Sequence, residues 1–101
     1  MRKHYSTFRE FYPDYLLEHS DPACRRLHFV GSACVVVVLA IAIATLDWRW
    51  LLAAPLIGYG CAWVGHLFFE HNRPATFSAP LYSFLGDWRM FGDMLTGRLR
   101  F

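Results

Sequence analysis

"WVGHLFFEHNRPATF", residues 63–77, passes from apolar, membrane-like sequence into a histidine, a glutamate and a second histidine within six positions. Ionisable groups at the edge of an apolar span are costly to hold there, and those that occur tend to be functional. Imidazole nitrogens with a carboxylate nearby form the donor set of an iron or zinc site, and imidazole alone does not choose between the two metals. Whether a metal could sit there depends on which other ligating side chains reach the same place. The chain has five histidines, at positions 4, 19, 28, 66 and 71.

The elements that must position them follow from the distribution of charge. From Phe29 to Leu46 no side chain is charged, and from Leu51 to Phe69 only His66 would carry charge. At roughly 1.5 Å per residue, spans of 18 and 19 residues reach about 27–29 Å, close to the hydrocarbon thickness of a bilayer. Two transmembrane helices are expected, 22–46 and 51–71, the first with its opening turns outside the hydrocarbon. "DWRW" at 47–50 is the turn between them, and Trp48 and Trp50 suit an interfacial aromatic belt. Asn72 and Pro74 end the second span.

Residues 7–19 predict an amphipathic helix. Thr7 and Glu10 have capping-box spacing, and Phe8, Phe11, Tyr12, Tyr15, Leu16 and His19 recur on one face. Pro13 falls inside this pattern and predicts a kink or a later start. Ser20 or Asp21 before Pro22 reads as a stop and restart. Residues 81–98 predict a second amphipathic helix, on the membrane or packed under the hairpin, from Leu81, Phe84, Leu85, Trp88 and Leu95. The expected fold is all-α: an integral membrane helical hairpin flanked by amphipathic helices, one membrane domain over 1–101.

Composition supports this reading. The chain is 55% hydrophobic and only 18% charged, with a mean hydropathy of +0.25, too apolar for an ordinary soluble domain. A buried hairpin in a soluble oligomer is the competing fold. "AIAIA" contains a cleavage-like Ala-x-Ala, but the long, acid- and aromatic-containing stretch before it argues against a signal peptide. The cysteines at 24, 34 and 61 are odd in number and lack CxxC spacing, so they read as small core hydrophobes. Nine arginines to one lysine suit lipid headgroups or an acidic substrate; positive-inside flanking explains the same bias. Arg2, Lys3, Arg9, Arg25 and Arg26 precede the first span, Arg73, Arg89, Arg98 and Arg100 follow the second, and Arg49 alone lies between. Both termini are expected to be cytoplasmic.

These elements bring the histidines together. His28 lies 19 residues before Asp47, and His66 lies 16 residues after Trp50. In an antiparallel hairpin their depths differ by about three residues, roughly 4–5 Å. His19 precedes the Asp21-Pro22 bend and can fold back over the same end. Glu70, four residues after His66, shares its helix face. His71 points away to solvent, and His4 reads as part of a terminus rather than a ligand. Singly, each histidine is ordinary amphipathic filler, and Glu70 pairs as readily with Arg73; the joint placement is what points to a metal. Three histidines around iron(II) leave room for a bidentate acid with a neighbouring hydroxyl, and for dioxygen. Glu70 would then orient a histidine or take a proton; if it ligates instead, one histidine lies outside the shell.

Two segments carry a family resemblance. "EHSDPACRRLHFVG" and "GYGCAWVGHLFFEHNRPATFSAPLYS" resemble the motif blocks of the 2-hydroxy fatty acid dioxygenase family, small membrane proteins with many bacterial relatives. The matching positions are His19 and His28, then Gly65, His66, Glu70, Pro74 and Ala75. The resemblance implies an Fe(2+) enzyme of fatty acid α-oxidation in a bacterial inner membrane, using dioxygen to shorten a 2-hydroxy fatty acid by one carbon. It implies His19, His28 and His66 as metal ligands, Glu70 as the assisting catalytic group and Arg73 as a holder of the substrate carboxylate. Arg25 and Arg26 join as substrate-binding residues from placement only. The chain departs from longer members, which carry a further apolar pair between the blocks, and in having histidine rather than lysine at 71. A homodimer would restore the enclosed volume, since two spans make a thin bundle. The alternatives are a non-enzymatic hairpin that binds lipid or scaffolds partners and, further off, a di-iron histidine-box hydroxylase or desaturase. The last would call for more histidines than the chain has.

Overall fold

A computed structural model describes residues 5–101, so His4 lies outside the described residues. Four α-helices follow one another: α1 (Phe8–Leu17), α2 (Pro22–Thr45), α3 (Trp50–Gly65) and α4 (Pro80–Leu95). A π-helical turn, His66–Glu70, continues α3, and a short 3-10 turn, Ala75–Phe77, precedes α4. The fold is all-helical, as the charge pattern predicts. The boundaries differ from the expected ones by a residue or a few, except at the end of α4, where Gly97 adopts φ 83 just past the C-cap Thr96.

The helix ends form where the side chains satisfy free backbone groups. Thr7 caps α1 by accepting from the Glu10 N–H at 3.3 Å, while the Glu10 carboxylate reaches back to the Ser6 N–H. Pro13 does not break this helix, which runs from Phe8 through it to Leu17. The proline forgoes one main-chain bond on an exposed face, while Phe11, Tyr12 and Tyr15 are buried and hold the helix down. Asp21 caps α2 and accepts from the N–H groups of Ala23 and Cys24, with Pro22 in the first helical turn. At the hairpin turn Leu46 takes a left-handed conformation, and Arg49 pairs with Asp47 at 2.9 Å.

Helices α2 and α3 form an antiparallel hairpin, each long and apolar enough to cross a membrane once the π turn is counted with α3. In a soluble core such helices would be largely covered, yet only 28% of the first apolar window and 17% of the second is buried. Val36, Val37, Ile43, Leu52 and Leu56 all stand exposed. The two helices approach closely through small residues. A Cβ at Gly31 would come within 2.9 Å of Cys61 Cβ, and one at Gly65 within 2.9 Å of Cys24 Sγ.

Helix α4 packs against both α1 and α2, so that α1 and α4 cap the hairpin's open end; α4 is packed under the hairpin rather than lying free. Phe11, Tyr12, Tyr15, Ala75, Met90 and Met94 form their core. Ring contacts tie it together, including Tyr5 to Phe11 at 5.1 Å and Phe11 to Tyr82 at 5.5 Å. Across it Tyr12 donates to Asp93 at 2.8 Å. The Arg89 guanidinium sits 5.1 Å from the Tyr12 ring and pairs with the same carboxylate at 3.3 Å. Burial and the adjoining Asp93 carboxylate push the Tyr12 hydroxyl far above its ordinary pKa, so it stays a donor.

Candidate metal centre

Three imidazoles from three different elements meet where the cap joins the hairpin. His19 follows α1, His28 lies on α2 and His66 opens the π turn. All three are buried, at 0%, 3% and 1% exposure. Their ring centroids are 4.4, 4.4 and 5.0 Å apart, and one ring nitrogen from each lies within 4.8 Å of the others. Counting residues from the turn therefore gave the correct depth for His28 and His66, and the Asp21-Pro22 bend returns His19 to them.

The hydrogen bonds behind each ring define its tautomer. His19 Nδ1 faces the Tyr15 carbonyl at 2.6 Å, and His28 Nδ1 faces the Cys24 carbonyl at 2.9 Å. A carbonyl only accepts, so both Nδ1 atoms carry the proton. His66 Nδ1 faces Asn72 Oδ1 at 2.6 Å. The Asn72 amide donates to the Glu18 carbonyl at 3.1 Å and its carboxylate at 2.6 Å, which turns Oδ1 toward the imidazole. All three rings are thereby left with bare Nε2 lone pairs. His19 Nε2 and His28 Nε2 face each other at 3.1 Å, a repulsive contact unless a cation lies between them. Burial and the two neighbouring imidazoles drive the His19 pKa well below its ordinary value, so a proton is a poor candidate for that cation. A transition-metal ion, bound by histidine nitrogen at about 2.0–2.1 Å in the zinc case, fits the donor set.

The other residues singled out by sequence have different surroundings. The Glu70 carboxylate accepts a hydrogen bond from the Asp21 N–H. It thus clamps the α1–α2 bend that delivers His19. Arg25 Nε donates to the His19 carbonyl at 3.1 Å, pinning the same bend from the other side. Arg26 Nε donates to the Phe101 carbonyl at 3.0 Å, and Arg73 stacks 5.6 Å from the centre of the Phe77 ring. His71 is exposed, as expected, in a left-handed conformation at φ 59.

A cavity of about 350 Å³ opens on the histidines. Along α2 its lining runs from His28 through Ser32 and Val35 to Leu39, twelve residues that rise about 16 Å. Ala54, Pro55 and Gly58 of α3 line the opposite wall, and Ser83, Asp87 and Trp88 of α4 close it at the cap. The three arginines named above lie outside this lining. A long, mostly apolar slot leads from the three histidines toward the middle of the hairpin.

Residues 5–99 match the sequence profile of a family described as 2-hydroxy-palmitic acid dioxygenase Mpo1-like. The chain belongs to the Mpo1-like family. No curated protein and no solved structure matches it. The match spans both histidine segments and both cap helices, so the residues that build the centre all lie within the family's own domain.

Two members of the site escaped the sequence reading. Asn72 looked like a helix stop, because a regular α-helix gives no reason for it to return beneath His66. The π turn supplies one: the backbone N–H groups of both His71 and Asn72 bond the His66 carbonyl. Such turns recur at functional sites. Asp87 sits in the amphipathic pattern of the last helix, where an acid reads as solvent-facing. A neighbouring tryptophan and the apolar face gave no sign that its carboxyl turns inward.

Proposed function

We propose that the chain is an iron(II)-dependent dioxygenase of 2-hydroxy fatty acids, shortening them by one carbon in the membrane. The observation that carries this reading is the convergence of three bare Nε2 lone pairs at the mouth of an apolar cavity. His19, His28 and His66 would hold the ion, which when bound supplies the capacity to bind and activate dioxygen beside the hydroxy acid. Tyr15, Cys24 and Asn72 fix the ring orientations, and Glu70 with Arg25 holds the bend that carries His19. The acyl tail would lie along Val35, Leu39, Ala54 and Pro55, leaving the polar head at the metal and excluding water behind it.

The same reading puts the cap and both termini on the cytoplasmic side, most naturally of a bacterial inner membrane. Apart from Arg49, every arginine among the described residues belongs to the cap or to the cap-side ends of the hairpin. A homodimer joined through the exposed apolar faces would enclose the thin hairpin further.

Metal analysis of the detergent-purified protein tests the proposal. About one iron per chain is expected, lost in both His28→Ala and His66→Ala, together with oxygen-dependent consumption of a 2-hydroxy fatty acid. Metal content untouched by either substitution would instead leave a lipid-binding hairpin. Two irons per chain would favour a di-iron site.

A further inference from the structure

Among the described residues, one buried side-chain atom has no hydrogen-bond partner, and it belongs to a residue that lines the cavity. The three histidine Nδ1 atoms are engaged, and Ser83 donates to the Pro80 carbonyl at 3.1 Å. The exception is Asp87 Oδ1. It reaches the cavity from α4, with Ser83 one turn before it and Trp88 beside it. A buried acceptor without a donor is costly, so it calls for a group that is not part of the protein. Among the described residues no cation offsets it. The Asp87 carboxyl shares a side-chain hydrogen bond with Tyr15, whose ring lies 4.0 Å from that of His19, and Oδ1 is left over. Asp87 therefore lines the same cavity as the three histidines, on the cap side, with its spare oxygen just behind the wall.

We propose that Asp87 is the specificity-determining residue that reads the 2-hydroxyl of the substrate, Oδ1 accepting the hydroxyl proton. The inference rests on the fatty-acid reading of the cavity and adds to it the residue that separates a hydroxy acid from a plain one. A hydroxyl suits this position better than the substrate's carboxylate. It can donate to an ionised carboxyl or accept from a protonated one, whereas a second carboxylate would be repelled by the first. Burial pushes the Asp87 carboxyl up to about 7, and a hydroxyl partner is matched to either form. A site built to bond a hydroxyl discriminates strongly against the analogue without it, because the buried polar group is then left unpaired.

The test uses ligand-induced thermal stabilisation of the full chain in detergent, with a 2-hydroxy fatty acid and the unsubstituted acid of equal length as probes. Binding is read in protein with and without iron. Wild type should bind the hydroxy acid at least about tenfold more tightly than the plain acid. Asp87→Ala should bind both alike, and Asp87→Asn, which keeps an amide able to bond a hydroxyl, should recover part of the preference. Without ligand, Asp87→Ala should melt within a few degrees of wild type, since it removes an unpaired acceptor oxygen along with the Tyr15 contact; this separates lost recognition from lost folding. A full hydroxy-acid preference retained in Asp87→Ala overturns the assignment while leaving the fatty-acid reading intact. Stabilisation of wild type by neither acid overturns both.

Discussion

The two ends of the hairpin are built by different rules. At the turn end, Leu46, Trp48, Leu51, Leu52 and Leu56 stand exposed, and the only ion pair is the solvent-facing Asp47–Arg49 contact. At the cap end, small residues bring α2 and α3 into contact, and buried polar side chains are tied to named acceptors. The turn end needs only to be apolar and long enough. The cap end needs particular atoms at particular places, because an unpaired polar group there has no water to fall back on. Sequence similarity should therefore concentrate at the cap, and so should sensitivity to substitution.

The largest effect expected from breaking the contrast is at the ligands. His28→Ala should lower metal affinity by more than the roughly 10–100-fold typical of losing an outer partner, leaving essentially no iron after dialysis against a mild chelator. Metal retained at wild-type stoichiometry would mean that the three imidazoles do not share an ion. Asn72→Ala should fall within that 10–100-fold range, since it frees the His66 ring without removing it. Its effect would be read as a shifted metal-binding isotherm, and an unchanged isotherm would reduce Asn72 to a helix stop.

Gly65→Ala tests packing rather than ligation. The new methyl would lie 2.9 Å from Cys24 Sγ and 3.2 Å from Cys24 Cα, the second a backbone atom that cannot swing away. Overpacking of this kind costs about 1–3 kcal/mol, to be measured by denaturation in detergent. Gly60→Ala is its matched control. Nothing lies within 4 Å of a Cβ there, so stability should change by less than about 0.5 kcal/mol. Equal losses at the two glycines would erase the distinction.

Acid stability sharpens the comparison further. His19 has a folded-state pKa well below 6.5. Below about pH 6.5 the unfolded chain takes up a proton that the folded chain refuses, so metal-free stability is full above that pH and falls as acid is added. Each such proton contributes up to about 1.4 kcal/mol per pH unit. Asp87 runs the other way. Its carboxyl, raised from 3.8 to about 7, keeps in the folded chain a proton that the unfolded chain releases, so its contribution is present at low pH and lost as pH rises toward 7. Asp87→Asn should therefore show a steeper loss of stability between pH 6.5 and 4 than wild type, in chelator-treated protein followed by denaturation midpoint. An acid limb of unchanged slope would contradict one of the two shifts.

Much of this was legible in the sequence, for reasons that differ by element. Helix lengths and the depth of His28 and His66 followed from a fixed rise per residue and two uncharged runs. The Asp21-Pro22 restart announced the bend that returns His19. The roles of Glu70 and Arg25 were harder to read, because their contacts are to backbone groups at the bend, and side-chain pairing rules say nothing about which main-chain N–H or carbonyl lies free. Asn72 depended on a π turn that no residue pattern marks. Pro13 shows how tertiary burial of its aromatic neighbours can override a local preference.

Two of the three imidazoles, His28 and His66, ride on the long apolar hairpin; the third, His19, follows a peripheral helix packed against its end. On the proposed function, insertion and competence would be separate events in the life of the chain. If the three imidazoles do share an ion, a hairpin threaded into lipid with α1 undocked would present two of the three, and capture of the ion would seal the cap last.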